Sequence, residues 1–286
     1  MCDIDTINKQ GYYLEKAPLQ RSSTRYEVDC CLFADKTEFA EIVIVENSDY
    51  GRMLFLDHEL QSSSYDEAIY HETLVHPLLN AYSNVDDKAI LVIGGAEGAT
   101  VREVLKWSPT VINKVHWVDI DRKLVDVCYE HLKYCDTRIE LDDRVSFFSE
   151  DIMDFLSSNR KTMYDCIIID LPDPDPTMKT PLYGAKFWQL INSSLKEYGG
   201  IVSHVGPVEP GLGRQVGLKM IQDGLGLVGF PYHTFIPCFQ GEWGFWINKR
   251  PSPYDNFPPN CKIMNPGYHS TIFHWDRHWQ VMSAGR

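Results

Sequence analysis

The sequence predicts an α/β fold with a doubly wound sheet, preceded by a small antiparallel β domain. From Lys88 onward, short runs rich in Ile and Val alternate with amphipathic segments, which is the pattern of buried parallel strands covered by helices. Between Arg25 and Gln61 the chain instead has short β-like segments separated by polar turns. With 286 residues, it is long enough for one large core and a smaller appended unit.

The first part of the chain predicts this antiparallel unit and a linking helix. The β-like segments are YEVDCCLFAD, EFAEIVIVEN and GRMLFLDHELQSS. After Tyr65, apolar residues recur at helical spacing in DEAIYHETLVHPLLNAY, and acidic residues in its first turn favour a helix N-terminus. We place the domain boundary near Asn84, which gives a β-rich domain with its helix at 1–83 and a larger domain at 84–286.

The second part of the chain predicts five strands connected by helices. The strands are AILVIGG, VHWVDID, RVSFFSED, YDCIIIDL and GGIVSHVG, and the helices are TVREVLKW, KLVDVCYEHL, IMDFLSS and AKFWQLINSSLK. Because the strands are almost continuously apolar, they are expected to be parallel and buried on both faces.

Composition argues against several classes of function. The 27 Lys and Arg residues against 40 Asp and Glu give a formal charge of −13, which repels nucleic-acid phosphates and anionic membranes. No run approaches the roughly 18 apolar residues that span a bilayer, and the eight cysteines include no CxxC pair. We therefore predict a cytoplasmic protein that binds neither nucleic acid nor membrane.

A glycine-rich turn after the first of the five strands predicts a nucleoside site. Gly94-Gly95 frees the backbone to turn sharply, and Asp119, about 20 residues on, ends the next strand, where a carboxylate accepts both hydrogen bonds of a ribose diol. The nearby Asp121 is an alternative. Asp151, at the third strand end, is placed to accept from an adenine amino group. Glu97 inside the turn would repel a pyrophosphate, which disfavours NAD and FAD.

The fourth strand ends in a second acidic segment, DLPDPDP. Its prolines stiffen the loop and hold Asp170 and Asp173 near one cleft mouth. An amine must lose a proton before it attacks a sulfonium carbon, and Asp170 is the candidate base for that step. The alternative is that Asp170 caps the following turn and that Asp173 and Asp175 are solvated.

The segment HETLVH, residues 71–76, is superficially similar to a zinc-protease motif. Its two histidines are five positions apart instead of four, so they diverge around a helix. We therefore expect no metal site.

The order of these motifs resembles that of the spermidine and spermine synthase family of aminopropyltransferases, over nearly the whole chain. The matching segments are Ser48-Asp49-Tyr50-Gly51, LFLDHELQ, Asp66-Glu67, Tyr70-His71-Glu72, GGAEGATVREVL, VDID, the strand-end Asp151, YDCIIIDLPDP and Leu182-Tyr183. The resemblance implies a Rossmann-like, class I methyltransferase-like domain that binds an S-adenosyl-type nucleoside, and the activity of a polyamine aminopropyltransferase similar to spermidine synthase. It implies decarboxylated S-adenosylmethionine as co-substrate, no permanently bound cofactor, a cationic di- or polyamine as acceptor, and a homodimer or homotetramer.

The resemblance also implies roles for individual residues. The residues that hold the donor would be Gln61, His71, Glu97, Asp119 and Asp151. Tyr70, Asp170 and Asp173 would bind the acceptor amine, with Asp170, aided by Tyr70, as the base. The loop from Leu171 to about Tyr183 would close over the reactants and exclude water.

Two departures from the family pattern concern the donor and the acceptor. Phe39-Ala40 stands where the family often has a Tyr-Gln pair, which keeps open a first alternative, an amine N-methyltransferase that uses S-adenosylmethionine itself. Phe239 stands where the family commonly has an acceptor-contacting Tyr, which should alter amine selectivity. A second alternative, from a different class, is a non-catalytic paralogue that binds the nucleoside and regulates a partner.

Overall fold

The computed structural model describes residues 4–17, 22–135, 137–158, 162–173, 182–208, 223–226, 229–252 and 256–274. The N-terminal part consists of helix α1 (Ile4–Gln10), the hairpin strands β1 (Tyr12–Ala17) and β2 (Ser22–Glu27), and strands β3 (Cys30–Lys36), β4 (Glu41–Asn47), β5 (Gly51–Leu56) and β6 (Glu59–Ser63). Strands β3 to β6 pair in sequence order as one antiparallel sheet, which confirms the predicted small β unit. Helix α1 and strand β1 were not predicted from the sequence.

Helix α2 (Glu67–Ala81) connects the small sheet to the large one. Its Leu74, Val75 and Leu78 are fully buried in the core of the large sheet, while Ile69 packs on the core of the small sheet. The helix therefore joins both cores, and its first turns carry Tyr70 and His71 to the junction. The domain boundary near Asn84 stays a prediction.

The large sheet has seven strands. They are β7 (Lys88–Gly94), β8 (Ile112–Asp119), β9 (Val145–Ser149), β10 (Tyr164–Asp170), β11 (Leu195–Pro207), β12 (Phe230–Ile236) and β13 (Gly241–Ile247). Their spatial order is β12-β13-β11-β10-β7-β8-β9, in which β11 to β9 are parallel and the last two strands in sequence are antiparallel. The five parallel strands confirm the predicted doubly wound sheet. Strands β12 and β13 were not predicted from the sequence.

Helices cover both faces of this sheet. They are α3 (Ala99–Leu105), α4 (Arg122–His131), α5 (Ile152–Ser157), α6 (Ala185–Ser194) and α7 (Pro266–Ile272). Because successive strand residues point to opposite faces, Ile90 and Val92 pack on one side, whereas Leu91 and Ile93 pack on the other. Both sides are fully buried, which explains the unbroken apolar run. Among the helices that the structure describes, none is long and apolar enough to cross a membrane.

The strand order reverses between β7 and β10. From β7 the chain moves outward through β8 and β9, and it then returns to place β10 on the other side of β7. In open α/β sheets, ligands bind in the crevice at the carboxyl ends of the strands at such a reversal. The topology therefore predicts a ligand site at the carboxyl ends of β7, β8 and β10.

Candidate active site

The candidate active site forms around Asp170, the last residue of β10. Its neighbour across the sheet is Gly94, and the Gly95 amide donates a hydrogen bond of 3.0 Å to the Asp170 carbonyl oxygen. Gly94 has a φ of +79°, and a Cβ atom there would lie 2.1 Å from that carbonyl oxygen. Only glycine allows this close approach, which brings the start of α3 next to Asp170.

Two hydroxyl groups hold the Asp170 carboxylate. Tyr70 donates to Oδ1 over 2.9 Å, and Thr100, in the first turn of α3, donates to Oδ2 over 2.5 Å. The two bonds fix the plane of the carboxylate, which a base aimed at one substrate atom requires. The structure thus brings the predicted Tyr70 and Asp170 together. Thr100 was missed, although its place directly after the glycine turn was a signal in the sequence.

Tyr70 is a hydrogen-bond donor in this arrangement. Burial and the neighbouring Asp170 carboxylate raise the pKa of its phenol well above the usual range. Its ring contacts the rings of His71, His204, Phe239 and Phe245. Tyr70 therefore stays protonated and orients Asp170 from a rigid aromatic setting.

Glu97 and Asp119 add two further carboxylates to the same crevice. Burial, opposed by a backbone hydrogen bond and reinforced by nearby carboxylates, raises the pKa of Asp119 to about 7. Burial also raises the pKa of Glu97, and the charge of Asp170 acts in the same direction. Burial and the neighbouring carboxylates therefore destabilise the ionised forms of these groups. A cationic ligand in the crevice would stabilise the ionised forms.

Asp119 and Asp121 have different tasks. Asp121 caps α4 by accepting from the Leu124 amide over 3.0 Å, and its other oxygen accepts from the Thr37 hydroxyl. Asp119 accepts from the Asp121 amide over 2.8 Å through Oδ1. Asp121 is therefore used in the fold, and the assignment of Asp119 to a ribose diol stays a prediction.

His71 carries a buried positive charge beside the carboxylates. Its Nδ1 lies 2.7 Å from the Glu67 carbonyl oxygen and 3.0 Å from Glu67 Oε2. Burial lowers its pKa, but the hydrogen bond and charge of Glu67 prevail and raise it to about 9. The imidazolium also interacts with Glu97 and Asp170. It therefore offsets only part of the negative charge of the crevice.

The structure gives Gln61 and Asp151 local contacts as well. The Gln61 amide donates to the Glu59 carbonyl oxygen over 3.1 Å. Asp151 caps α5, where Oδ1 accepts from the Met153 and Asp154 amides at 2.7 and 3.3 Å. Both bonds go to one oxygen, so the cap and a substrate contact through Oδ2 are compatible. Their roles toward a nucleoside stay predictions.

Asp173 lies beyond the end of β10 and faces β11. Its Oδ1 lies 3.2 Å from Nδ1 of His204, a residue that the sequence analysis did not assign to the site. Tyr183 donates to the Pro172 carbonyl oxygen over 2.8 Å, which ties the two ends of the acidic loop together. Residues 174–181, including Asp175 and most of the loop expected to close, lie outside the described residues.

The structure also brings two residues of the HETLVH segment near a cysteine. Glu72, His76 and Cys261 have side-chain atoms within 4.8 Å of one another. However, Glu72 accepts from three consecutive backbone amides, Lys262 to Met264, and from Lys106. His76 accepts from the Trp107 indole and contacts Glu103. These atoms hold the fold together, so the expectation of no metal site is not revised.

Sequence profiles of known families match both parts of the chain. Residues 67–254 match the family described as the spermine/spermidine synthase domain. Residues 11–63 match the family described as the spermidine synthase tetramerisation domain, which indicates an oligomer.

Curated relatives and solved structures agree with these matches. The polyamine aminopropyltransferases of Synechococcus sp. (strain JA-3-3Ab) and Saccharolobus solfataricus are each 34% identical over 76% of this chain, and the matches cover 72% and 71% of those proteins. Polyamine aminopropyltransferase 2 of Bacillus anthracis is 36% identical over 76% of this chain and 59% of its own length. A solved spermidine synthase in complex with the transition state analogue AdoDATO has a TM-score of 0.82 at 23% identity, with 94% of each chain covered. The chain therefore belongs to the spermine and spermidine synthase family of aminopropyltransferases.

Proposed function

We propose that this enzyme transfers the aminopropyl group of decarboxylated S-adenosylmethionine to a di- or polyamine and releases methylthioadenosine. The observation that carries this proposal is the Asp170 carboxylate, held by the hydroxyls of Tyr70 and Thr100 beside two further buried carboxylates. Such a crevice suits a reaction in which both reactants are cations. The names of the relatives support the same reaction.

In the proposed reaction, an amine nitrogen attacks the methylene carbon next to the sulfonium. The C–N bond forms as the C–S bond breaks, and the electron pair of the C–S bond goes to sulfur, which leaves as a thioether. The proton that the amine loses passes to Asp170. Tyr70 and Thr100 keep the carboxylate aimed at the nitrogen, so that alignment supplies much of the rate.

The other residues would bind the two substrates. We assign Asp119 to the ribose diol, Asp151 to the adenine amino group, and Gln61, His71 and Glu97 to the remainder of the donor. The turn at Gly94 and Gly95 lets the nucleoside approach the backbone. Asp173 would hold a second ammonium group of the acceptor while Asp170 deprotonates the first.

Assembly and location complete the proposal. The tetramerisation-domain match at residues 11–63 supports a homodimer or a homotetramer. The cysteines among the described residues are free thiols, which fits the proposed cytoplasmic location.

Product analysis by mass spectrometry tests this function. Purified enzyme is incubated with a panel of di- and polyamines, and with decarboxylated or ordinary S-adenosylmethionine in separate reactions. We expect an aminopropyl adduct from the decarboxylated donor alone. Methylated amine from the ordinary donor would establish the methyltransferase alternative. No product from either donor, despite nucleoside binding, would favour the regulatory alternative.

A further inference from the structure

His204 lies beside the proposed acceptor site and has no assigned role. It belongs to β11, and its side chain is only 5% exposed. Its ring lies 5.9 Å from the Tyr70 ring and stacks on Trp243 at 6.4 Å. The imidazole therefore lies between Tyr70, which orients the proposed base, and the carboxylate of Asp173.

The contacts of the two ring nitrogens indicate which atoms carry protons. Nε2 donates to the Leu171 carbonyl oxygen, which can only accept. Nδ1 lies 3.2 Å from Asp173 Oδ1, and an unprotonated nitrogen there would point its lone pair at a carboxylate. The contact is favourable when both nitrogens are protonated, so His204 is an imidazolium paired with Asp173.

The charged and titratable groups around His204 agree with this state. Asp173 and Asp170 face it from the end of β10, and the neutral phenol of Tyr70 faces it from α2. Burial lowers the pKa of His204, but the Asp173 carboxylate, with a smaller effect of Asp170, prevails and raises it.

The ion pair is short but poorly aligned. Among the described residues, the buried Nδ1 has no partner in hydrogen-bond geometry, although Asp173 is within 3.2 Å. An unaligned contact is easier to replace than a linear charge-assisted hydrogen bond. The Asp173 side chain is also 31% exposed, so a cation arriving from solvent can reach it.

We propose that His204 is a specificity-determining residue, whose imidazolium competes with an ammonium group of the acceptor for Asp173. This inference rests on the proposed function, in which Asp173 binds the acceptor. A diamine places one nitrogen at Asp170 and a second, cationic nitrogen at Asp173, and His204 then loses its proton to solvent. A monoamine has no second ammonium group and gains nothing from this exchange.

The competition makes acceptor binding depend on pH. Binding of the ammonium group favours neutral His204, so the acceptor KM falls as pH rises toward the pKa of His204. Exchange of one proton gives about a tenfold change per pH unit below that pKa. The donor KM does not share this dependence, because the nucleoside does not use Asp173.

Steady-state kinetics with 1,4-diaminobutane and n-butylamine test the proposal, at saturating decarboxylated S-adenosylmethionine between pH 5.5 and 9. His204→Gln keeps an amide donor but removes the charge, so we expect a lower diamine KM at acid pH and no proton-linked change. The KM for n-butylamine should be the same in the wild-type enzyme and in His204→Gln. The matched control is His233→Gln, which changes a histidine–carboxylate contact with Glu242 on β12 and β13 and should retain the wild-type pH profile. A higher diamine KM in His204→Gln across the whole pH range would overturn the proposal.

Nuclear magnetic resonance of the wild-type enzyme with ¹⁵N-labelled histidine gives a test that needs no turnover. The His204 signals, assigned with His204→Gln, should titrate above the usual histidine range, and saturating spermidine should lower the midpoint. An unchanged midpoint in an enzyme that forms aminopropyl products would reject the inference and leave the proposed function intact. A lowered midpoint without any product would support the displacement of His204 and reject the proposed function.

Discussion

Two clusters of charged side chains adjoin helix α2, and they are built in opposite ways. We call the first the paired network: Glu67, Glu72, His76, Arg102, Glu103 and Lys106. Each of its carboxylates contacts at least one cation at 2.7–2.9 Å. We call the second the acidic crevice: Glu97, Asp119, Asp170 and Asp173. Among the described residues, the cationic groups that contact or interact with these carboxylates are the imidazoles of His71 and His204.

The pKa directions follow this difference. Burial raises the pKa of Glu103, but His76, Arg102 and Lys106 prevail and lower it to about 2. In the crevice, burial prevails and raises the pKa of Asp119 to about 7. Carboxylates that each contact a nearby Arg or Lys serve the fold, whereas carboxylates without such a partner are available for a cationic ligand.

The largest effect is expected from Asp170→Asn, which removes the proposed base without changing its shape. We expect kcat to fall by about 10²–10⁴-fold, because general-base catalysis contributes on that order. Nucleoside binding and thermal stability should change little. Product mass spectrometry measures kcat, and calorimetry measures donor affinity. The control variant is Asp154→Asn, which changes an exposed carboxylate. Undiminished turnover would remove Asp170 from this role.

In the paired network the largest effect is on stability. Glu103→Gln leaves Arg102 and Lys106 with one buried partner fewer, and breaking a buried pair in this way costs about 3–5 kcal/mol. The free energy of unfolding from urea titration measures the loss. Asp126→Asn breaks a surface pair whose carboxylate is 43% exposed, and it should cost under about 1 kcal/mol. Equal losses in the two variants would contradict the contrast between buried and exposed pairs.

The sequence predicts the crevice better than it predicts the paired network. Asp119 and Asp170 end strands, and parallel strand ends meet at one edge, so their approach follows from the strand pattern alone. Glu103 and His76 meet because α3 packs on α2, and no spacing in the sequence reveals the angle of that packing. His204 was missed for the same reason, since its contact with Asp173 depends on how β11 lies beside β10.

Parts of the fold were missed for a different physical reason. Buried parallel strands are recognisable in the sequence by their unbroken apolar runs, as in Ile167, Ile168 and Ile169. Strands β12 and β13 lie at the antiparallel edge of the sheet and mix polar, aromatic and glycine residues, as in GEWGFWI. Their strand character comes from pairing with each other and with β11, which is a tertiary property.

The two clusters should also respond to pH with opposite signs. The pKa of Glu103 is lowered, so its contribution to stability is present above about pH 4.5 and is lost as pH falls toward 2. The pKa of Asp119 is raised, so ionisation of Asp119 increasingly destabilises the folded protein as pH rises from about 4 to 7. Asp119→Asn should therefore be more stable than the wild type at pH 8, by on the order of 2 kcal/mol, and equal to it near pH 4. Thermal unfolding from pH 4 to 8 measures this difference, and a gap that does not vary with pH would contradict it.

The smallest effect separates Asp119 from Asp121, two carboxylates of one segment. Asp121→Ala removes the cap of α4 and the bond from Thr37, so we expect a loss of about 1 kcal/mol in stability. The donor KM should stay near the wild-type value, whereas Asp119→Asn should raise it by about tenfold or more, because the variant loses the proposed ribose contact. Steady-state kinetics with the decarboxylated donor compare the two variants. If Asp121→Ala weakens donor binding as much as Asp119→Asn does, the ribose carboxylate is Asp121, and the crevice extends to a residue that here belongs to the fold.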